Sequence, residues 1–350
     1  PPGQPTLRLE GEEIVLVEGE AGRELKVEAS LQSLMAAQDR RDGRPVALAF
    51  RPIPPHETVV VPLQAEVDAL LASRIDLSTY DALTDQSSTW RLGRKQIAPW
   101  LRLESGEKGG AYTVQVDRAA VKATLGTLAA ELGEGRGFRT EEAVEEVMAA
   151  LQEGGGLVTL YMTHAPRHYT VQSGDTAVKI AARHGMPLWM LTQANPLVDL
   201  GLLQVGQEVV IPTQDALTPH LPVPGKRIVI DLSEQRMRVY ENGALLHDWA
   251  VSTGRKGSPT YTGVFQILLK DENAYARQWD LQMPHFLGVY AAGPGSINGI
   301  HALPILSNGN RLWAGNLGTP VSYGCIILGV QEAETLYDWA EIGVVVVIEE

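Results

Sequence analysis

The chemistry available to this chain starts at its single cysteine, Cys325, within Pro320-Val321-Ser322-Tyr323-Gly324-Cys325-Ile326-Ile327-Leu328. Glycine before a nucleophile lets the chain turn sharply and lets a substrate carbonyl approach the backbone. A thiol so placed can attack a carbonyl carbon, with the amides of Gly324 and Cys325 aimed at its oxygen. Free cysteine is also among the most buried residue types, so the stretch alone fits an inert core thiol equally well. A base is what separates the two readings. The thiolate is the nucleophile, and an imidazole within hydrogen-bond reach is its usual activator. The chain has eight histidines, and none follows Cys325. Two are candidates, His301 in Gly299-Ile300-His301-Ala302 and His285 in Met283-Pro284-His285-Phe286. The first setting is strand-like; the second reads as a loop bend whose histidine lines a substrate cleft or packs on Phe286. Spacing does not choose between them. The order of base then nucleophile excludes the papain-like arrangement.

The elements that must position these residues fall into several domains, as a length of 350 residues predicts. A hydrophobic content of 44% supports sizeable cores, and a net charge of −13 argues against nucleic acid or an anionic membrane surface as partner. One cysteine excludes an intrachain disulfide, and no apolar run reaches the length of a membrane span. The chain begins at Pro1 without methionine, so a segment upstream, an anchor included, is expected to have been removed.

Residues 1–165 read as an α+β module with an internal repeat. Gly22–Glu28 opens a helix ending near Leu34-Met35-Ala36-Ala37, followed by a strand at Val46–Phe50; Gly135–Glu141 opens a second helix reaching Val147-Met148-Ala149-Ala150, followed by a strand at Leu157–Tyr161. Ala65–Ala72 and Ala119–Leu132 look helical, and Tyr112–Val116 looks like a strand. His56 stands alone in a Pro-rich turn and reads as solvated surface. Residues 168–213 predict a βααβ unit, with helices at Ala177–Arg183 and Leu188–Ala194 and a returning strand within Leu203–Pro212. Residues 214–225 hold Pro219, Pro222 and Pro224 and read as a semi-rigid linker. Residues 226–350 are β-rich: strands at Arg227–Leu232, Met237–Glu241, Ala244–Ser252, Val264–Leu269 and Gly343–Ile348, a hairpin turn at Asn242-Gly243, and one helix at Glu332–Ala340. That spacing predicts a mainly-β barrel or sandwich.

Residues 168–213 resemble a LysM domain, with Ala177 where that family usually has leucine. Residues 226–350 are similar to the catalytic domain of the cell-wall L,D-transpeptidases. The matching pieces are Ser252-Thr253-Gly254, Thr262-Gly263-Val264-Phe265, Met283–Phe286, Gly299-Ile300-His301 and Leu317–Ile326. Residues 1–165 resemble, more weakly, the peptidoglycan-binding-like modules found in front of such enzymes, through Trp90-Arg91-Leu92, Trp100-Leu101 and Val116-Asp117-Arg118. The resemblance implies Cys325 as nucleophile and His301 as its base. It implies the amides of Tyr323, Gly324 and Cys325 as an oxyanion hole and Ser322 as the residue shaping that loop.

Three positions depart from the family pattern. Tyr323 stands where a second histidine is common, and Ile327 where arginine or asparagine is common. The interval from His301 to Ser322 is longer, running through Ser307–Trp313. No Lys or Arg occurs in 326–350, so the cation for a substrate carboxylate is expected from Arg311 on the longer interval, with His285 and Trp313 lining the cleft. Ala302 offers no side-chain acceptor to orient His301, and a backbone carbonyl is the expected substitute. The implied reaction is acyl transfer between peptidoglycan stem peptides giving 3→3 cross-links, with no cofactor and no metal. Water as acceptor would make the chain an L,D-carboxypeptidase, and loss of activity a wall-binding protein. A sortase-like enzyme would need an arginine after the cysteine. The implied partners are stem peptides and glycan strands, outside the cytoplasm, with a membrane reached only through a removed anchor.

Overall fold

The computed structural model describes the chain except for residues 1–5, 11–12, 18, 41–44, 55–59, 106–111, 294 and 313. His56 and Trp313 therefore lie outside the described residues. Two compact units emerge: one comprises Pro1–Thr79, Ser88–Leu132 and Phe138–Leu160, the other Tyr80–Ser87, Gly133–Gly137 and Tyr161–Glu350.

In the first unit, the strand Arg74–Asp81 lies between Gly155–Leu160, parallel to it, and Gln86–Leu92. Its residues alternate in burial, with Ile75 and Leu77 wholly inside, the period of two that a half-buried strand imposes. The helix Thr140–Gln152 turns Ala143, Val144, Val147, Ala150 and Leu151 to one buried face, the three-and-four spacing of an amphipathic helix. Arg118–Glu131 is capped by Asp117, whose side chain accepts from the amides of Ala119 and Ala120.

The repeat survives only as an order of elements. Gly22–Leu25 is a strand, not a helix start, and its partner strand is Phe50–Ile53, not Val46–Phe50. That pair is antiparallel, whereas Gly155–Leu160 is a parallel strand on Arg74–Asp81. The helix between the first pair, Val27–Arg40, leaves Leu31, Leu34 and Met35 exposed. Similar sequence spacing thus ends in different packing: the second helix buries its apolar face, and the first leaves these apolar side chains exposed.

The second unit holds the βααβ element first: β1 (Arg167–Thr170), α1 (Ala177–Arg183), α2 (Leu188–Ala194) and β2 (Glu208–Ile211). β1 and β2 pair antiparallel. Ala177 is buried, so the smaller side chain is accommodated. Asn195, also buried, donates to the carbonyls of Leu191 and Val210 and accepts from the amide of Val210, locking α2 to β2.

Residues 214–225 correct the linker reading. Gln214–Leu217 is a 3-10 turn, Leu217 is buried, and Gln266 exchanges two hydrogen bonds with the backbone of His220. The prolines stiffen a strap bound to its neighbours. Asp215, in that turn, accepts from the amide of His164 at 2.7 Å and faces its Nδ1 at 2.7 Å, while Asp81 Oδ1 lies 3.3 Å from Nε2.

The rest of the unit is two packed sheets and a helix. The first sheet combines β3 (Lys226–Asp231), β4 (Arg236–Glu241), β5 (Ala244–Ala250), β6 (Gly263–Gln266) and a late strand, Val345–Glu349, in the order β5-β4-β3-(Val345–Glu349)-β6. The late strand is central and its Val345, Val346 and Ile348 are all buried, as a strand covered on both faces requires. The second sheet runs β7 (Leu269–Ala276), β8 (Leu281–Gly293), β9 (Ser296–Ala302), with β10 (Ile305–Leu306) beside β8 and β11 (Ile326–Leu328) beside β9. α3 (Val330–Trp339) follows β11 directly and buries Ala333 and Leu336 in the same core as Ile300, Ala302, Ile326 and Leu328. Full burial of such a side chain contributes roughly 1.5–3 kcal/mol, enough collectively to fix the register of β9 against β11. The late strand, now β12, closes the chain.

Candidate active site

β9 and β11 are parallel, with Ile300 opposite Ile326, His301 opposite Ile327 and Ala302 opposite Leu328. Partners in a parallel ladder point to the same face, and alternate residues share it. Cys325, one step before β11, therefore falls abreast of Gly299, two residues before His301 along β9. Only glycine fits at 299, because a Cβ there would lie 2.2 Å from the carbonyl oxygen of Leu287 and 2.8 Å from the Phe286 ring. The backbone of Gly299 hydrogen-bonds the thiol.

His301 is 3% exposed, and its Nδ1 lies 2.6 Å from the carbonyl oxygen of its neighbour Ala302. A carbonyl only accepts, so Nδ1 carries the proton and Nε2 is left with a free lone pair. The expected backbone orienter is thus the carbonyl of Ala302. Burial pushes His301 down to about 4, against the pull of that carbonyl. Burial also pushes the Cys325 thiol up to about 11, opposed by the bond from Gly299. At neutral pH the site rests as a neutral imidazole and a neutral thiol, not as an ion pair.

The loop before the thiol is built by Ser322. Its hydroxyl donates to the carbonyl of Cys325 at 2.6 Å and accepts from the amide of Gly324 at 3.1 Å. Its own amide donates to the carbonyl of Thr253. This corrects the expected trio of oxyanion donors: the Gly324 amide is already committed inside the loop. Gly324 itself has φ +117°, and a Cβ would meet Asn298 Nδ2 at 2.4 Å, so only glycine fits.

Asn298 was not singled out by the sequence reasoning. Its Oδ1 is 3.8 Å from Cys325 Sγ, and its Nδ2 donates to the hydroxyl of Tyr290 at 3.3 Å. Tyr290 is buried; its hydroxyl reaches the carbonyl of Gly324 at 3.3 Å, and Thr260 Oγ1 donates to the same carbonyl at 2.9 Å. The signal available was composition: Asn298 is an amide in a β9 otherwise small or apolar up to His301.

The other expected residues are dispersed. Tyr323 is 41% exposed, stacked on Trp279 with centroids 5.5 Å apart, and carries the Arg255 guanidinium 4.4 Å from its ring centre. Arg311 donates to the carbonyl of Leu303 at 3.3 Å. His285 is a correction. It lies within β8, not in a loop, at φ +55°, and its ring sits 5.5 Å from that of Tyr337 on α3. Phe286, its neighbour, is the residue that stacks on His301, with centroids 6.2 Å apart. The left-handed kink at His285 goes with a ring contact to Tyr337 on the helix α3.

A family model described as the L,D-transpeptidase catalytic domain matches residues 225–348, and one described as the LysM domain matches residues 169–212. The Bacillus licheniformis protein named as the L,D-transpeptidase YkuD is 30% identical over 105 residues, covering 30% of this chain and 61% of its own length. The Escherichia coli protein named as the L,D-transpeptidase YcfS is 27% identical over 186 residues, covering 49% of this chain and 57% of its own. The chain thus spans about three fifths of these relatives. Among solved structures, an L,D-transpeptidase from Mycobacterium smegmatis superposes with a TM-score of 0.32 at 21% identity, covering 42% of this chain and 65% of that one. Residues 225–348 thus match the family model of the L,D-transpeptidase catalytic domain, with His301 and Cys325 both inside the matched span, and residues 169–212 before them match that of the LysM domain.

Proposed function

We propose that the chain is a peptidoglycan L,D-transpeptidase that forms 3→3 cross-links through a Cys325 acyl-enzyme. The observation that supports this reading is the parallel register of β9 and β11, which brings Cys325, one step before β11, abreast of Gly299 and within two residues of His301 along β9. On substrate entry the Nε2 lone pair of His301 takes the thiol proton as Sγ bonds to the carbonyl carbon of the third stem residue, a diamino acid. The oxyanion is met by the amides of Tyr323 and Cys325, since Gly324 donates to Ser322. The carbon–nitrogen bond to the terminal D-alanine then breaks, and His301 returns the proton to the leaving amine. In the second half, the side-chain amine of another stem loses a proton to His301 and attacks the thioester carbon; the carbon–sulfur bond breaks and the thiol is re-formed.

Two features support the partner assignment. The LysM domain matches a family that binds N-acetylglucosamine polymers, and it shares a hydrophobic core with the catalytic domain, so glycan capture would raise the local concentration of stem peptides. On this reading the working protein acts in the cell wall or periplasm. Mass spectrometry of muropeptides after incubation with the full chain tests the reading. Dimers joined between two third residues, with one D-alanine lost per link, are expected. Trimmed tripeptides alone would make it a carboxypeptidase, and unchanged muropeptides would remove catalysis from the account.

A further inference from the structure

We infer that Arg255 is the seat for a free carboxylate of the donor peptide, held at the edge of the thiol loop by Tyr323. The inference rests on the reading of the site as a peptide acyl transferase, and the sequence sets the problem: no Lys or Arg occurs in 326–350. The structure supplies a cation from the other side of the loop. Gly254 bridges Ser322 in a parallel contact, and the Arg255 amide donates to the Ser322 carbonyl at 3.0 Å. The backbone of Arg255 is thereby pinned to the loop that delivers Cys325.

The side chain is pre-positioned as well. Its guanidinium lies 4.4 Å from the centre of the Tyr323 ring, and that ring is stacked on Trp279. A guanidinium on an aromatic face keeps its N–H edge outward, and that planar fork matches a carboxylate. Among the described residues no carboxylate is paired with Arg255. Arg311 is less suited, since it already donates to the carbonyl of Leu303. Tyr323, where the family commonly has histidine, gains a reason: it is the platform on which the displaced cation rests. A donor whose third residue is a diamino diacid offers two carboxylates for the test, that residue's free carboxyl and the C-terminus of its D-alanine, and the geometry requires only that one reach Arg255.

Calorimetric titration of a synthetic stem tetrapeptide into the full chain carrying Cys325→Ala tests this without turnover. Arg255→Gln is expected to weaken binding by about tenfold, the scale of a lost charge-assisted bond, and Arg255→Lys to recover part of it. Amidating one carboxylate at a time should erase the effect of Arg255→Gln for the carboxylate that is held. Equal binding with and without Arg255, a deficit that persists when both carboxylates are amidated, or no binding at all would overturn the inference. Failure of the intact-thiol chain to release D-alanine, with Arg255-dependent binding preserved, would sink the transpeptidase reading and leave the carboxylate seat standing.

Discussion

Cys325 Sγ lies 3.8 Å from Oδ1 of Asn298, an amide whose other end is held by the Tyr290 hydroxyl. The oxygen can accept only from the neutral thiol, so Asn298 holds Sγ in place until His301 takes its proton. Asn298→Ala should slow acylation by about fivefold to tenfold, the scale of one lost hydrogen bond. Substrate KM should stay near its wild-type value. An unchanged acylation rate would remove Asn298 from the positioning of the thiol.

The second prediction separates the two histidines. His301→Ala should lower the acylation rate by about 10²–10⁴, the usual contribution of general acid–base catalysis. His285→Ala should leave it within a few-fold, because that ring faces Tyr337 of α3. Rapid-quench measurement of D-alanine release in both variants decides the matter. A larger loss at position 285 would reverse the assignment.

A third prediction concerns the resting thiol. Burial holds Cys325 up at about 11 and His301 down at about 4. Alkylation by iodoacetamide should therefore be slow at pH 7 and climb steadily through pH 9–11. Acylation by substrate should persist well below pH 6, failing only as His301 gains a proton near 4. A titration showing thiolate already formed below pH 7 would point to an ion pair and contradict the neutral site.

The fold makes a pH prediction elsewhere. Hydrogen bonding to Asp215, then to Asp81, raises His164 to about 9. Its folded value lies above the ordinary one near 6.5, so this contribution is complete below about pH 6 and is lost as pH rises through 9. Burial pushes Asp81 up, but bonds from His164, Thr84 and the Leu83 amide outweigh it and leave Asp81 at about 2. That second contribution is present above about pH 4 and is lost as pH falls toward 2. Thermal unfolding should therefore show a lower midpoint at pH 9.5 than at pH 7, and His164→Ala should flatten the difference. A midpoint unmoved between those values would show that the His164 contacts contribute little.

Much of the site was legible because it is written in local signals. The hairpin at Asn242-Gly243 is in place, with both residues at positive φ, as the dipeptide predicts. α1 and α2 begin and end where the apolar spacing puts them. Ser322, Gly324 and Cys325 act within one short loop, so their roles follow from adjacency. The misses share a cause in long-range pairing. His285 read as a bend because proline precedes it, yet Pro284 sits in register with Asn273, and the kink shows only once β7 and β8 are paired. Asn298 and Arg255 approach the thiol across strands and bridges, which one sequence does not encode by spacing. The internal repeat failed for the same reason, since its two helices have similar patterns but the first leaves Leu31, Leu34 and Met35 exposed where the second buries its apolar face.

The central claim is that Cys325 becomes acylated with His301 as its base. Intact-protein mass spectrometry after brief mixing with stem tetrapeptide addresses it directly. The account predicts a mass increase equal to the tetrapeptide minus one D-alanine, mapped to Cys325, absent in Cys325→Ala and strongly diminished in His301→Ala. An adduct at another residue, or one that survives Cys325→Ala, would contradict it.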